Sequence, residues 1–278
     1  MPPSARVRRG AVVTHGRVET IGPALETVER VARACGVDLL LPEDEAEKHG
    51  RAGTEPVEEA DLAVALGGDG TMLRALQRFV GTGVPVIGVN FGRVGFLTSI
   101  QPDDLEPVLT RVLEGHYVVH SLPLLEARAA GERRTAINDV VVTSSVLGRM
   151  AHLGWAVGGE DLGVQPCDGL ICATPSGSTA YNLSCGGPVV VRGLDAVVIT
   201  FVAPHSLYVR PLVVTRELGV TVTNRSVEVP LTVIADGHSF AEVAPGESLD
   251  VRLDERRSLL ATPPDVTFFR RYRQVFGS

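Results

Sequence analysis

Residues 67–71 read Gly-Gly-Asp-Gly-Thr and follow directly on the apolar run 62–66. A continuous apolar run of that length is the pattern of a strand buried on both faces of a parallel sheet. Ligands of such sheets bind outside the carboxyl ends of the strands, near helix N-termini. Gly67, Gly68 and Gly70 would let the backbone approach phosphates, with Thr71 opening a helix whose free amides favour anions. Asp69 is out of place in a simple phosphate loop, because its charge repels the anion. It makes sense if the carboxylate holds a metal ion or accepts a proton from an attacking hydroxyl. The plainer alternative is a tight strand-to-helix turn with Asp69 as helix cap.

A second stretch carries hydrogen-bonding chemistry. From Asp168 and Gly169 an apolar run leads into Thr174-Pro175-Ser176-Gly177-Ser178-Thr179-Ala180-Tyr181, then Asn182, Leu183, Ser184 and Gly186-Gly187-Pro188. Hydroxyls and backbone amides at the end of a strand suit a polar ligand such as a nucleotide. Tyr181 could stack on a base or simply pack. A serine hydrolase is disfavoured, because Gly177-Ser178-Thr179-Ala180-Tyr181 lacks the last glycine of a nucleophile elbow.

Composition removes several other chemistries. Of 26 basic residues only Lys48 is a lysine, and it sits among Glu45, Glu47 and His49. A Walker loop, a protein kinase and a Schiff-base enzyme each need a lysine at a defined place, and a charged, exposed stretch supplies none of them. The net charge of -7 speaks against nucleic acid as a partner. The four cysteines (Cys35, Cys167, Cys172, Cys185) form no Cys-x-x-Cys pair and have no histidine at zinc-ligand spacing. Reduced, packed thiols are expected. The sequence carries no signal-peptide core and no apolar stretch of about 18 residues, so a cytoplasmic protein with no membrane partner is expected.

The elements that must position these residues change in texture along the chain. In the first part, strands are expected at 11–14, 37–41, 62–66 and 84–89, with helices at 24–35, 71–79 and 103–114. This is β-α-β alternation and a parallel sheet. Beyond about residue 115 come short apolar runs at 118–120, 124–127, 137–142, 152–157, 196–202, 212–214, 220–222, 227–233 and 249–253. These predict a β-sandwich-like second domain. The division is an α/β domain over 1–112, a β-rich domain over 113–256, and a tail over 257–278. The aromatic residues Phe268, Phe269, Tyr272 and Phe276 should dock that tail on the body.

The motifs taken together resemble the bacterial NAD kinase family. The likeness rests on Gly67–Thr71, on Asn90-Phe91-Gly92-Arg93-Val94-Gly95-Phe96-Leu97, and on Asn138-Asp139. It also rests on Thr174 to Tyr181, Pro204-His205-Ser206-Leu207, Arg210-Pro211 and Asp236-Gly237-His238, all in order from about residue 60 onward. The resemblance implies transfer of the γ-phosphate of ATP to the 2′-hydroxyl of the adenosine ribose of NAD, making NADP. A divalent cation, Mg2+ in the first instance, would be held mainly by the nucleotide. Asp69 would be the proton acceptor. Asp69, Gly70, Arg74, Asn138, Asp139, Arg149, Asp168, Thr179, Ala180, Tyr181, Asn182, Leu183, Ser184 and His238 would contact the dinucleotide. Gly67, Gly68, Gly70 and Thr71 would meet the phosphates of ATP. A homodimer or homotetramer with sites shared between subunits is implied as well.

Without the resemblance, Asn138-Asp139 reads better as a β-turn before the next strand, and His238 could be only a hairpin tip. The segment 11–17 lacks the Asn-Pro-Lys-like start of many relatives. Pro166-Cys167 before Asp168 also departs from the family pattern, which leaves the choice between NAD and NADH open. So does the choice between ATP and polyphosphate as donor. The rival activities are a diacylglycerol-type lipid kinase, whose motif resembles that around Asp69, and a non-catalytic NAD-binding regulator.

Overall fold

The alternation of apolar runs and amphipathic stretches builds a parallel sheet in the first part of the chain. In the computed structural model the described residues are 5–15, 18–54, 56–92 and 95–277. The elements in order are β1 (Arg9–Thr14), α1 (Val18–Cys35), β2 (Asp38–Leu40), α2 (Glu43–Lys48), β3 (Leu62–Gly67), α3 (Asp69–Arg78), β4 (Val86–Asn90) and α4 (Leu105–Leu113). The strands pair in parallel in the order β2-β1-β3-β4. Thr14 lies opposite Leu66, and Gly67 opposite Asn90. The register therefore brings the carboxyl ends of three strands to one edge. All six residues of β3 are buried, as a strand covered on both faces requires.

The second part is antiparallel. It comprises β5 (Val118–Ala129), β6 (Glu132–Ala136), β7 (Asp139–Ser144), β8 (Ala151–Val157), β9 (Glu160–Cys167), β10 (Gly169–Ala173), α5 (Tyr181–Ser184), β11 (Ala196–Val202), β12 (Leu212–Thr215), β13 (Val220–Asn224), β14 (Leu231–Ala235), β15 (His238–Val243) and β16 (Ser248–Thr262). Six strands form one sheet in the order β12-β11-β10-β7-β14-β15. The strands β9-β8-β13 continue through β16 as another layer. Val140, Leu170 and Ile199 from the six-stranded sheet share a core with Leu153, Val222 and Val251 from the other, which is a sandwich arrangement. The opposite face of the six-stranded sheet, with Val141, Ile171 and Val198, packs on Val190. Consequently β10 is buried on both faces. By packing the chain divides into two units, Leu122–Arg257 and Met1–Ser121 with Ser258–Ser278.

Several elements differ from the sequence expectation, each for a local reason. The helix expected to open at Thr71 opens at Asp69, because Gly68 already takes the extended N-cap conformation. α1 starts ahead of Pro23, which lies inside the helix. The charged stretch around Lys48 is α2, with Glu45 and Ala46 buried. β6 and β9 escaped notice because most of their residues are exposed and lack apolar alternation. The expected runs 118–120 and 124–127 form the single strand β5. The tail is the helix α6 (Phe268–Phe276), capped by the Thr267 hydroxyl, which accepts from the Arg270 amide. It docks on its own unit, with Phe268 and Phe276 against Phe96 at ring centroid distances of 6.0 and 5.8 Å.

Candidate active site

Asp69 is the first residue of α3, directly beyond the carboxyl end of β3. It does not cap the helix; Gly68 occupies that position, and among the described residues no side chain caps the first turn. The first-turn amides therefore remain available to an anion. The Asp69 carboxylate is instead held by the segment that follows β4. Oδ2 accepts from the Phe96 amide at 2.9 Å. Oδ1 accepts from the amides of Leu97 and Thr98, both at 3.3 Å, and from the Thr98 hydroxyl at 3.5 Å. A carboxylate has about four acceptor positions, two on each oxygen, so Oδ2 keeps capacity for one further donor. Asp69 is half-buried, which leaves that capacity reachable.

Glycines make this closeness possible. A Cβ at Gly67 would lie 2.2 Å from Thr71 Oγ1, and one at Gly95 2.3 Å from both Asp69 carboxylate oxygens. Arg93 and Val94, part of the same motif, lie outside the described residues, as does Arg17.

One turn along α3, Arg74 reaches the end of β1. Its guanidinium donates to the Thr14 carbonyl and, at 3.1 Å, to Glu45 Oε1. Glu45 is fully buried and also accepts from the Thr14 amide and hydroxyl, at 2.9 and 2.8 Å. Lys48 Nζ stands 3.0 Å from the same Oε1. A buried carboxylate with this many donors is paired and satisfied. Sequence reasoning missed Glu45, because one acid among the four of residues 43–47 gives no sign of burial.

In the second unit the Ser/Thr-rich loop is largely self-bonded. The Thr174 hydroxyl donates to the Ile137 carbonyl at 2.6 Å, and the Gly177 amide donates back to it. The Ser178 hydroxyl donates to the Pro175 carbonyl and accepts from the Val190 amide. Asn182 is fully buried; its amide nitrogen donates to the Ser178 and Pro188 carbonyls, and its oxygen accepts from Thr200 Oγ1 at 2.6 Å. The side chain of Asn182 is thus part of the scaffold. Thr179, Ala180 and Leu183 are half-buried, while Tyr181 and Ser184 are exposed.

Next to this loop lies the Asn138-Asp139 pair. Asp236, a non-glycine residue at φ 46°, accepts from the amides of Ile137, Asn138 and Asp139 and pins their turn. A Cβ at Gly177 would fall 1.9 Å from the Asn138 carbonyl, so the two segments touch backbone to backbone. Asn138 Oδ1 and Ser176 Oγ are buried without a hydrogen-bond partner among the described residues. Such orphans are unusual and mark a place where a polar ligand is expected. Burial, with the Asp236 charge adding, pushes the Asp139 carboxyl up to about 7. The Tyr181 phenol is also raised, by burial first and then by Cys185, with Asp168 and Asp139 contributing. Asp139, Asp168 and Tyr181 therefore belong to one neighbourhood.

Arg149 and His238 are exposed. The His238 ring meets the Asp236 carbonyl, which joins it to the Asn138-Asp139 turn; no side-chain partner of Arg149 exists among the described residues. All four cysteines are free, and burial pushes Cys167 and Cys172 up to about 12, which makes them inert.

The comparisons with known proteins bear on the family and the fold. The model of the ATP-NAD kinase N-terminal domain matches residues 22–117, and that of the ATP-NAD kinase C-terminal domain residues 137–260. An NAD kinase of Gemmatimonas aurantiaca is 36% identical over 279 residues, 97% of this chain and 96% of the relative. One from Heliobacterium modesticaldum is 40% identical over 78% of each chain. Among solved structures, an Archaeoglobus fulgidus NAD kinase in complex with ATP matches at a TM-score of 0.76 with 28% identity, over 97% of both chains. Yeast NADH kinase complexed with NADH matches at a TM-score of 0.85 over 100% of this chain and 89% of its own; at 23% identity that likeness speaks for the fold. On these matches over most of its length, the chain belongs to the NAD kinase family and is a phosphotransferase.

Proposed function

We propose that the chain transfers the γ-phosphate of ATP to the 2′-hydroxyl of the adenosine ribose of NAD, with Asp69 receiving the hydroxyl proton. The observation that carries this reading is the Asp69 carboxylate, fixed by four donors yet with one acceptor position of Oδ2 left over. Phosphoryl transfer rests on positioning and charge neutralisation more than on a strong base. An ordinary carboxylate held rigidly is sufficient for that role. The uncapped first turn of α3 supplies amides for the phosphates. Asn138 and Ser176, with their orphaned oxygens, are the polar groups of the second unit best suited to the dinucleotide. Asp139, Asp168, Tyr181 and His238 complete that neighbourhood.

A divalent cation fits as a companion of the nucleotide. Among the described residues no three His, Cys, Asp or Glu side chains converge, and Mg2+ is commonly bound through substrate phosphates with one or two carboxylates. Asp69 is the carboxylate that would face it. When bound, such a cation neutralises charge on the transferred group. The homo-oligomeric state and a cytoplasmic location are part of the same proposal; among the described residues no helix is long and apolar enough to cross a membrane.

Nothing in the comparisons favours a lipid kinase or a non-catalytic regulator. The test is to offer NAD, NADH and a diacylglycerol side by side, with ATP or polyphosphate and Mg2+, and to follow phosphorylated product. NADP or NADPH is expected. Phosphorylation of the lipid alone, or NAD binding without turnover, would overturn the reading.

A further inference from the structure

Arg271 of α6 is a buried charge with too few partners. Its residue is 6% exposed. The guanidinium donates to the Thr98 carbonyl and, at 3.4 Å, to Gln274 Oε1. A guanidinium carries five donors, and among the described residues no carboxylate forms an ion pair with this one. Burial lowers its pKa, opposed by the charge of Asp69 and reinforced by Arg270. Asp69 offsets part of this without an ion pair, and a buried cation so placed is costly unless a closer counter-charge arrives.

There is room for one. Arg271 lines a cavity of about 160 Å³ within its own unit, together with Ser99, Arg111, His116 and Arg270. Arg111 forms no ion pair among the described residues. His116 meets the Arg111 carbonyl through Nδ1 at 3.2 Å, and Nε2 has no partner among the described residues. The Ser99 hydroxyl is buried and has no hydrogen-bond partner among the described residues. Two carboxylates, Asp104 and Asp265, also line the cavity. Asp265 already stands 3.6 Å from Arg270. Three arginines against two acids leave the cavity net positive.

We infer that this cavity binds a small oxyanion, a phosphate or a dicarboxylate, clasped by Arg111, His116 and Arg271. Guanidinium forks match such oxyanions with paired, charge-assisted hydrogen bonds. The cavity lies next to the Asp69 anchor. Thr98, whose amide and hydroxyl hold Asp69, gives its carbonyl to Arg271, and Ser99 is the next residue. Occupancy therefore reaches the reacting carboxylate through one residue. This last step, unlike the binding itself, rests on Asp69 being the proton acceptor.

The test is isothermal calorimetry of the full chain with inorganic phosphate and, separately, malonate, against chloride at matched ionic strength. Arg111→Ala and His116→Ala serve as comparison variants. Both side chains are exposed, and both variants keep the loop at Asp69, so an anion bound there registers equally in all three proteins. Saturable binding to the wild type, weakened about tenfold or more in Arg111→Ala, is expected from the loss of a charged hydrogen-bond donor. Preference for phosphate over malonate, or the reverse, identifies the source of the oxyanion. Equal binding in all three proteins, or none in the wild type, overturns the site. The anion should also change kcat in the wild type and leave Arg111→Ala unmoved. Binding without any change in kcat refutes the coupling to Asp69 while the site stands. Absence of NADP formation under every condition instead refutes the proposed function, and calorimetry still reads the site.

Discussion

Gly95 occupies the space that the Asp69 carboxylate would otherwise have to share. A Cβ built there would lie 2.3 Å from Oδ1 and 2.3 Å from Oδ2, closer than any real contact. Gly95→Ala must displace either the carboxylate or the segment that donates to it. Turnover is expected to fall by about 10²-fold, the scale on which small misplacements act. Steady-state kinetics beside a thermal melt checks this: the loss of kcat should far exceed the change in Tm.

Asp69→Asn removes the charge and turns an acceptor oxygen into a donor facing backbone amides. Turnover is expected to fall by about 10² to 10⁴, and stability by roughly 1–3 kcal/mol from the donors left unmet. A variant with near-wild-type turnover would rule Asp69 out as the proton acceptor.

Asp139 should make stability depend on pH. Its folded pKa of about 7 lies above the ordinary carboxyl value because it is buried beside Asp236. The folded state therefore holds the proton more tightly than the unfolded one. The contribution is fully present below about pH 4 and is lost as the pH rises through 7. Each tenfold gain in proton affinity is worth about 1.4 kcal/mol, which makes the whole effect on the order of 4 kcal/mol. Denaturant melts of Asp139→Asn between pH 4 and 8 should lack this slope; the same slope in the variant would assign it elsewhere.

Asn182→Ala tests scaffold against contact. Its side chain makes three hydrogen bonds, to the Ser178 and Pro188 carbonyls and from Thr200. Losing them in a fully buried place should cost about 3 kcal/mol or more and lower Tm clearly. A raised KM for NAD at unchanged Tm would instead make Asn182 a ligand contact.

Glu45→Ala leaves Arg74 and Lys48 without their shared partner and the Thr14 amide without an acceptor, while the Thr14 hydroxyl keeps its contact with His49 Nε2 at 2.7 Å. Breaking a buried pair in this way typically costs about 3–5 kcal/mol. Glu45→Gln, which keeps the shape, should recover part of that loss in the same melts.

The chain's order of apolar runs was enough to locate β3, the glycine turn and a helix beyond it, because local periodicity encodes which faces are buried. The same holds for the strand-rich second part and for β10 running into its hydroxyl-rich loop. The sequence also marked residues 174–188 as candidates by residue type, and Asn138 and Asp139 through the family resemblance. What it could not state was partnership across distance. Asp69 finds its donors 27 to 29 residues away, and Asp236 pins a turn almost a hundred residues earlier. Nothing in the sequence sets Glu45 or Arg271 apart from the other charges, yet the fold buries both. Burial and hydrogen bonding depend on what the rest of the chain packs against a residue, so only the tertiary structure decides which charges are held, which are orphaned and which remain free to act.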